Sequence, residues 1–218
     1  RMTISIRATL NNNIRFLKHL GRSEKSFSMR KWIEDDTSTS WVFLTARADQ
    51  RDTLRPLISG ILDTGINALM SQKPDPNRRV WFMGDELPAL HKLPSLEPGL
   101  AELRKYGGCI MAGIQGLSQL ETIYGQQQSR TILGLFNTKV FFRSIDPQTT
   151  QWISQVLGES EQTELTESIS YGANTIRDGV SLNQSTQKKP LVLPSEIANL
   201  SDLECYVSYP QDLPVTKL

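Results

Sequence analysis

Between Arg51 and Ser71 the apolar positions Leu54, Leu57, Ile58, Ile61, Leu62, Ile66, Leu69 and Met70 recur at helical spacing. They predict a helix of about 30 Å at 1.5 Å rise per residue, with Pro56 tolerated in its first turns. Upstream, Leu10, Ile14, Leu17 and Leu20 lie on one face of an amphipathic helix from Thr9 to Leu20 that Gly21 stops. A polar loop follows, then Ser28 as the cap of a short helix through Ile33, and residues 34–40 as a turn-rich connector. There the period changes. Trp41-Val42-Phe43-Leu44-Thr45-Ala46 is β-branched and aromatic enough to predict a buried strand.

After Pro74-Asp75-Pro76-Asn77 the chain alternates between short apolar runs and helical spacing. The strand ending at Met83, a helix near 95–106, the strand Cys109 to Ile114, helices near 118–124 and 126–136, and the strand Lys139 to Arg143 follow in turn. That alternation predicts an α/β fold with a mainly parallel sheet. Asp146 then caps, and Pro147 opens, a helix carrying Trp152, Ile153, Val156 and Leu157 to a stop at Gly158. Residues 159–189 are rich in Ser, Thr, Glu, Gln and Asn. They read as a surface excursion, partly hairpin, with turns at Tyr171-Gly172 and Asp178-Gly179. A short turn or helix at Pro194 to Leu200 and strands near 205–209 and 215–217 close the chain. The aromatics Trp41, Trp81, Phe82, Phe141 and Phe142 are expected in the core, because they fall within predicted buried strands.

Composition narrows the picture little. With 38% hydrophobic and 22% charged residues, the 218-residue chain can bury a sizeable core. A formal net charge of +1 gives no global basic signature, so any contact with nucleic acid must be local, at loops such as His91-Lys92 or Arg104-Lys105. The two cysteines, Cys109 and Cys205, sit in apolar runs and are expected as buried reduced thiols. No run reaches the roughly 18 to 20 apolar residues of a membrane helix.

The chemistry gathers at Arg79-Val80-Trp81-Phe82-Met83-Gly84-Asp85-Glu86. Ligands collect at the carboxyl ends of parallel strands, and that is where Asp85 and Glu86 stand. The first carboxylate suits a metal held through water, and the second suits polarising a water for in-line attack on a terminal phosphate. By itself the pair is equally a solvated turn after a core strand. A glycine-rich loop ending in Gly-Lys-Ser or Gly-Lys-Thr, the usual phosphate cradle, does not occur; Gly107-Gly108 reads as a helix stop. Together with a first residue that is Arg1, this leads to the expectation that the chain is the carboxyl-terminal part of a longer protein: either the cradle lies upstream in it, or the nucleotide-hydrolysing reading is wrong.

An ordered set of segments resembles the type IV secretion coupling proteins of conjugation, the TraD and TrwB family. Those segments are Leu54-Arg55-Pro56-Leu57-Ile58-Ser59, Asp85-Glu86-Leu87-Pro88-Ala89-Leu90, Arg104-Lys105-Tyr106-Gly107-Gly108 and Gly113-Ile114-Gln115. Gln119 to Gly125 and Pro194 to Leu200 extend the set, and Tyr171 to Ser181 looks most like the TraD branch. The resemblance implies a RecA-like P-loop NTPase core at 37–218, preceded at 1–36 by the end of an inserted all-α subdomain. It further implies an ATPase at the cytoplasmic face of the bacterial inner membrane, a homo-hexamer anchored by a segment outside this chain. Such a protein links single-stranded DNA and its relaxase to a type IV secretion channel.

In residue terms the resemblance makes Asp85 the magnesium-site aspartate, Glu86 the catalytic glutamate acting on ATP, and Gln115 the sensor of nucleotide state. Arg143, and second Arg47, are candidates for an arginine supplied across a subunit boundary, each against the alternative of a surface ion pair. Two other functions stand beside the motor: an adaptor with a vestigial site that docks relaxosome to channel, and a general hexameric DNA translocase of the chromosome-segregation type. Without the cradle, the 218-residue chain alone is expected not to hydrolyse ATP.

Overall fold

In the computed structural model, Ser28 Oγ accepts a hydrogen bond from Lys31 N at 3.4 Å and so starts α1 (Met29–Glu34). The structure describes residue 7 and residues 14–19, 27–170, 179–210 and 213–218, with the backbone alone at 19, 164–170 and 179–185. Most of the predicted helix at 9–20 and the turn signals at 171–178 therefore lie outside the described residues; Arg15–His19 is a 3-10 turn. The chain divides into two units, Arg1–Phe136 and Asn137–Leu218.

In the first unit α2 (Arg51–Met70) is the 20-residue helix that the apolar periodicity predicts. Its buried side, with Ile66, Ala68 and Leu69, packs against Met29 and Ile33 of α1 and against Val80 and Phe82 of β1 (Val80–Gly84). Gly65 lets β1 come close: a Cβ there would meet Phe82 at 3.1 Å and Met29 at 3.2 Å. Next come α3 (Leu96–Glu102) with a 3-10 extension through Tyr106, and β2 (Gly108–Ala112). β2 pairs in parallel with β1 from Val80↔Gly108 to Gly84↔Ala112. The left-handed Gly107, at φ +75°, makes the turn into β2, and a Cβ there would fall 2.2 Å from the carbonyl oxygen of Arg78. α4 (Leu117–Tyr124) and α5 (Gln126–Leu135) complete the unit.

Two expectations fail in this unit. Trp41–Ala46 is not a strand. The segment is extended, with Val42, Leu44 and Ala46 half-buried and the alternate residues exposed, but among the described residues it has no ladder partner. Trp41 stacks on Phe43 at 6.1 Å between ring centres, and the two are 72% and 78% exposed. β-Propensity measures fit to a pleated surface, and among the described residues no neighbouring strand supplies that surface. Likewise Trp81 is exposed while Phe82 is buried, because successive residues of β1 point to opposite faces and one face only is covered.

The second unit is built on β3 (Lys139–Phe142), α6 (Pro147–Leu157), the 12-residue strands β4 (Glu159–Ser170) and β5 (Gly179–Pro190), α7 (Pro194–Ala198), β6 (Cys205–Ser208) and β7 (Thr216–Lys217). β4 and β5 form the antiparallel hairpin that the polar excursion suggests. β6 lies between β3 and β7, antiparallel to both. Phe141, Ile153, Leu157, Val192 and Ile197 make the core, with the Phe141 and Trp152 rings edge to face at 5.7 Å. Phe142, expected inside, is exposed on the opposite face of β3. Cys109 and Cys205 are both free thiols, the second buried and the first half-buried. Among the described residues no helix is long and apolar enough to cross a membrane.

Candidate nucleotide-hydrolysis site

Asp85 and Glu86 leave the carboxyl end of β1 where the chain must turn toward the 3-10 turn Leu87–Ala89. Two backbone hydrogen bonds fix that turn against the end of β2: Gly113 N donates to Gly84 O at 2.8 Å, and Leu87 N donates to Gly113 O at 2.9 Å. Further along, His91 N donates to Ser59 Oγ at 2.9 Å, and Ser95 N to Asp63 Oδ1 at 2.9 Å, so α2 holds the loop from one side. Leu93 N donates to the Tyr124 hydroxyl at 3.2 Å on the α4 side, where burial pushes that hydroxyl's pKa above its ordinary value. The carboxylates are thus presented by a loop tied to β2, α2 and α4.

Their environments differ. Asp85 is exposed, whereas Glu86 is half-buried and its Oε1 is a buried acceptor with no hydrogen-bond donor. Glu86 lines an open cleft of about 430 Å³ with Gln115 and Gln119, and Pro88 and Ile123 contribute apolar wall. Gln115, three residues beyond β2, is therefore brought to the same cleft as Glu86. The cleft also holds Arg55 of α2, whose Nε is a buried donor without an acceptor. In the sequence Arg55 is marked only by its place in the segment Leu54 to Ser59; the further signal is a cation in the first turns of a helix, α2.

Arg143 and Arg47 are each held in a surface ion pair. Arg143 Nη2 is 2.9 Å from Asp202 Oδ1, and Arg47 Nε is 3.2 Å from Asp49 Oδ1, both pairs exposed; Arg47 does not line the cleft. His91 is exposed, Lys92 Nζ stands 5.9 Å from the Tyr124 ring centre, and Lys105 pairs with Glu102 at 3.5 Å. A second cleft, of about 470 Å³, opens over Glu97 and the start of α5 and shares no lining residue with the first. There Gln128 Nε2 donates to Glu97 Oε2 at 2.8 Å.

No group of three or more His, Cys, Asp and Glu side chains converges among the described residues. A lone exposed Asp85 fits magnesium, which keeps its waters and takes phosphate oxygens as ligands, and does not fit an all-protein cage.

The whole chain, residues 1–218, matches the family model of the type IV secretion-system coupling protein DNA-binding domain. This chain belongs to that family. The coupling protein TraD of Escherichia coli (strain K12) is 40% identical over 224 residues, covering 100% of the chain and 31% of TraD. Among solved structures, the unbound conjugative coupling protein TrwBdeltaN70 superposes with a TM-score of 0.74 at 36% identity, covering 88% of this chain and 43% of that one. TrwB in complex with ADP and Mg2+ gives a TM-score of 0.72 at 35% identity, over 88% of this chain and 42% of that one. The coupling-protein fold is that of a P-loop NTPase, in keeping with the parallel β1–β2 pair and its helices. The chain spans about a third of TraD and under half of the TrwB structures it matches.

Proposed function

We propose that this chain is part of the motor of a conjugative coupling protein that hydrolyses ATP to move single-stranded DNA, with its relaxase, toward a type IV secretion channel. The observation that carries the proposal is Glu86. It follows directly on Asp85 at the end of a parallel strand, it keeps a buried acceptor without a donor, and it shares a cleft with Gln115. A carboxylate so placed accepts the proton of an attacking water. Gln115, exposed at the same cleft, has the amide to orient that water or the terminal phosphate. Asp85 is the residue that would hold magnesium, which would supply positive charge against that developing on the phosphates. Relatives solved with ADP and Mg2+ and with non-hydrolysable ATP and GTP analogues support nucleotide as the ligand.

In the same proposal residues 1–36 end an inserted all-α subdomain, the phosphate cradle comes from outside the chain, and the full-length protein works as a hexamer at the inner membrane. Arg143 and Arg47 stand as candidates for a cation supplied between subunits. Their exposure lets them reach a neighbour, and their acidic partners are ones they must leave to do so. The test is magnesium-dependent ATP turnover of the full-length protein with and without single-stranded DNA, wild type against Glu86→Gln. DNA-stimulated turnover that the substitution abolishes is expected. A protein that binds relaxosome components yet shows no turnover is an adaptor, and the motor proposal fails.

A further inference from the structure

β4 and β5 make a sheet of two strands, and among the described residues no third strand pairs with either. At 12 residues each they form a ribbon about 40 Å long. The core around Phe141, Ile153 and Ile197 takes no described residue from it. A sheet of two strands is marginal in water, and both of its outer edges carry backbone N–H and C=O groups with no ladder partner. Addition of a strand at those edges answers both needs.

The two edges differ in charge. β4 carries Glu159, Glu161, Glu164 and Glu167 and no Lys or Arg, whereas β5 carries Lys188 and Lys189 and no Asp or Glu. Glu159, Glu161 and Lys188 are exposed. The register sets Glu161 opposite Lys188 and Ser160 opposite Lys189, so the cations and the first two glutamates stand at the same end of the ribbon, the end that leaves α6. An acidic edge repels the phosphates of a nucleic acid and repels a second acidic edge. The β4 edge of one copy and the β5 edge of another attract.

We propose that the ribbons of neighbouring copies of this chain join edge to edge, β5 of one antiparallel to β4 of the next, as one sheet that continues from copy to copy. This rests on the reading of the full-length protein as a ring and names a surface through which its members join. Copies related by rotation about an axis along the ribbon have every β4 running one way and every β5 the other, so the pair between copies is antiparallel like the pair within each. The same rotation keeps the ends that leave α6 level, and Lys188 of one copy comes beside Glu159 and Glu161 of the next. The contact uses two different edges, so it closes as a ring and not as a two-fold dimer. A two-fold dimer through β4 would set glutamates against glutamates.

The experiment is sedimentation velocity of the full-length protein over a range of concentrations, for wild type, Lys188→Glu, Glu161→Lys and an equal mixture of the two variants. In either variant alone the substituted position meets like charge across the contact, and half-assembly should move to about threefold to tenfold higher concentration. In the mixture, alternating copies restore opposite charge at every contact, and assembly should return to the wild-type range. Within each ribbon positions 161 and 188 still carry like charge, so a role confined to folding of the hairpin would not be rescued by mixing. Variants that assemble as wild type does, or a mixture no better than its parts, overturn the ribbon contact and leave the ring reading in place; wild type that stays monomeric removes the ring and the contact together. Should a charge reversal fail to fold, Glu161→Cys copies mixed with Lys188→Cys copies carry the test. Disulfide-linked pairs above the wild-type level are expected in that mixture and in neither variant alone, and their absence from the mixture overturns the contact.

Discussion

A Cβ at Gly113 would lie 2.0 Å from the carbonyl oxygen of Asp85. The end of β2 and the loop after β1 touch backbone to backbone there, with the Gly113 N–H on Gly84 and the Gly113 carbonyl taking the Leu87 N–H. No rotamer relieves the contact, because both partners are main chain. Gly113→Ala therefore pushes the Asp85–Glu86 loop off β2. It should cost about 1–3 kcal/mol of stability in denaturant titration of the chain, and should lower turnover of the full-length protein more than its stability loss explains.

The acid limb of stability is set in part by Asp146, the cap of α6. Its Oδ2 accepts from Thr149 Oγ1 at 2.5 Å and from Thr149 N at 2.9 Å, and these bonds, the hydroxyl first, hold its pKa below the ordinary 3.8. A depressed folded pKa contributes stability that is fully present above the unfolded value and disappears as pH falls through the folded one. The loss belongs below about pH 4. Glu204, lowered by its bond from Ser201 N and its Lys217 partner, acts in the same direction. Unfolding followed from pH 7 to pH 2 should show Asp146→Ala with a lower Tm at neutral pH and a shallower fall on acidification than wild type.

Which parts of this molecule the sequence made legible depends on whether the signal was local. The 20 residues of α2, the Ser28 and Asp146 caps and the stop at Gly158 are where periodicity and capping chemistry put them, because they need only neighbours in sequence. The polar hairpin was legible for the same reason. Trp41, Trp81 and Phe142 were not, since a strand residue is buried only if something covers its face, and composition does not say which face is covered. Asp85 and Glu86 stood out as adjacent carboxylates at a strand end. Arg55 did not, because its meaning comes from sharing a cleft with residues 31 and 60 positions away, Glu86 and Gln115.

The Arg143–Asp202 pair, at 2.9 Å, has side chains 51% and 86% exposed. Solvent screens such a pair, and ordering two mobile side chains offsets most of its attraction. Arg143→Ala and Asp202→Ala should each change stability by about 0–1 kcal/mol in urea unfolding. A larger loss from Arg143→Ala would mean that the arginine is structural, and the inter-subunit role proposed for it would lose its basis.

The 218-residue chain by itself should show no ATP turnover above a blank, with Glu86→Gln indistinguishable from wild type, because it carries no Gly-Lys-Ser or Gly-Lys-Thr loop to hold the phosphates. Turnover that the substitution removes would overturn this and require a phosphate cradle of another kind within these residues.

The boundary proposed near residue 36 meets its sharpest test at Ile33. Ile33 is 0% exposed and lies in the core formed by α1, α2 and β1, alongside Ile66, Leu69 and Phe82. Arg78 Nη2 also donates to the Ile33 carbonyl at 2.6 Å, fastening the end of α1 to the residues that lead into β1. If α1 were only the tail of a separate helical piece, trimming Ile33 would leave the nucleotide-site unit intact. Its burial instead ties the end of the helical piece to that unit: Ile33→Ala opens a cavity against α2, the helix that carries Arg55 and whose Ser59 binds the His91 amide. Urea unfolding should give a loss of about 2–5 kcal/mol in one transition shared with the rest of the unit. A separate early transition, with the main one unmoved, would show that α1 folds apart from α2 and β1.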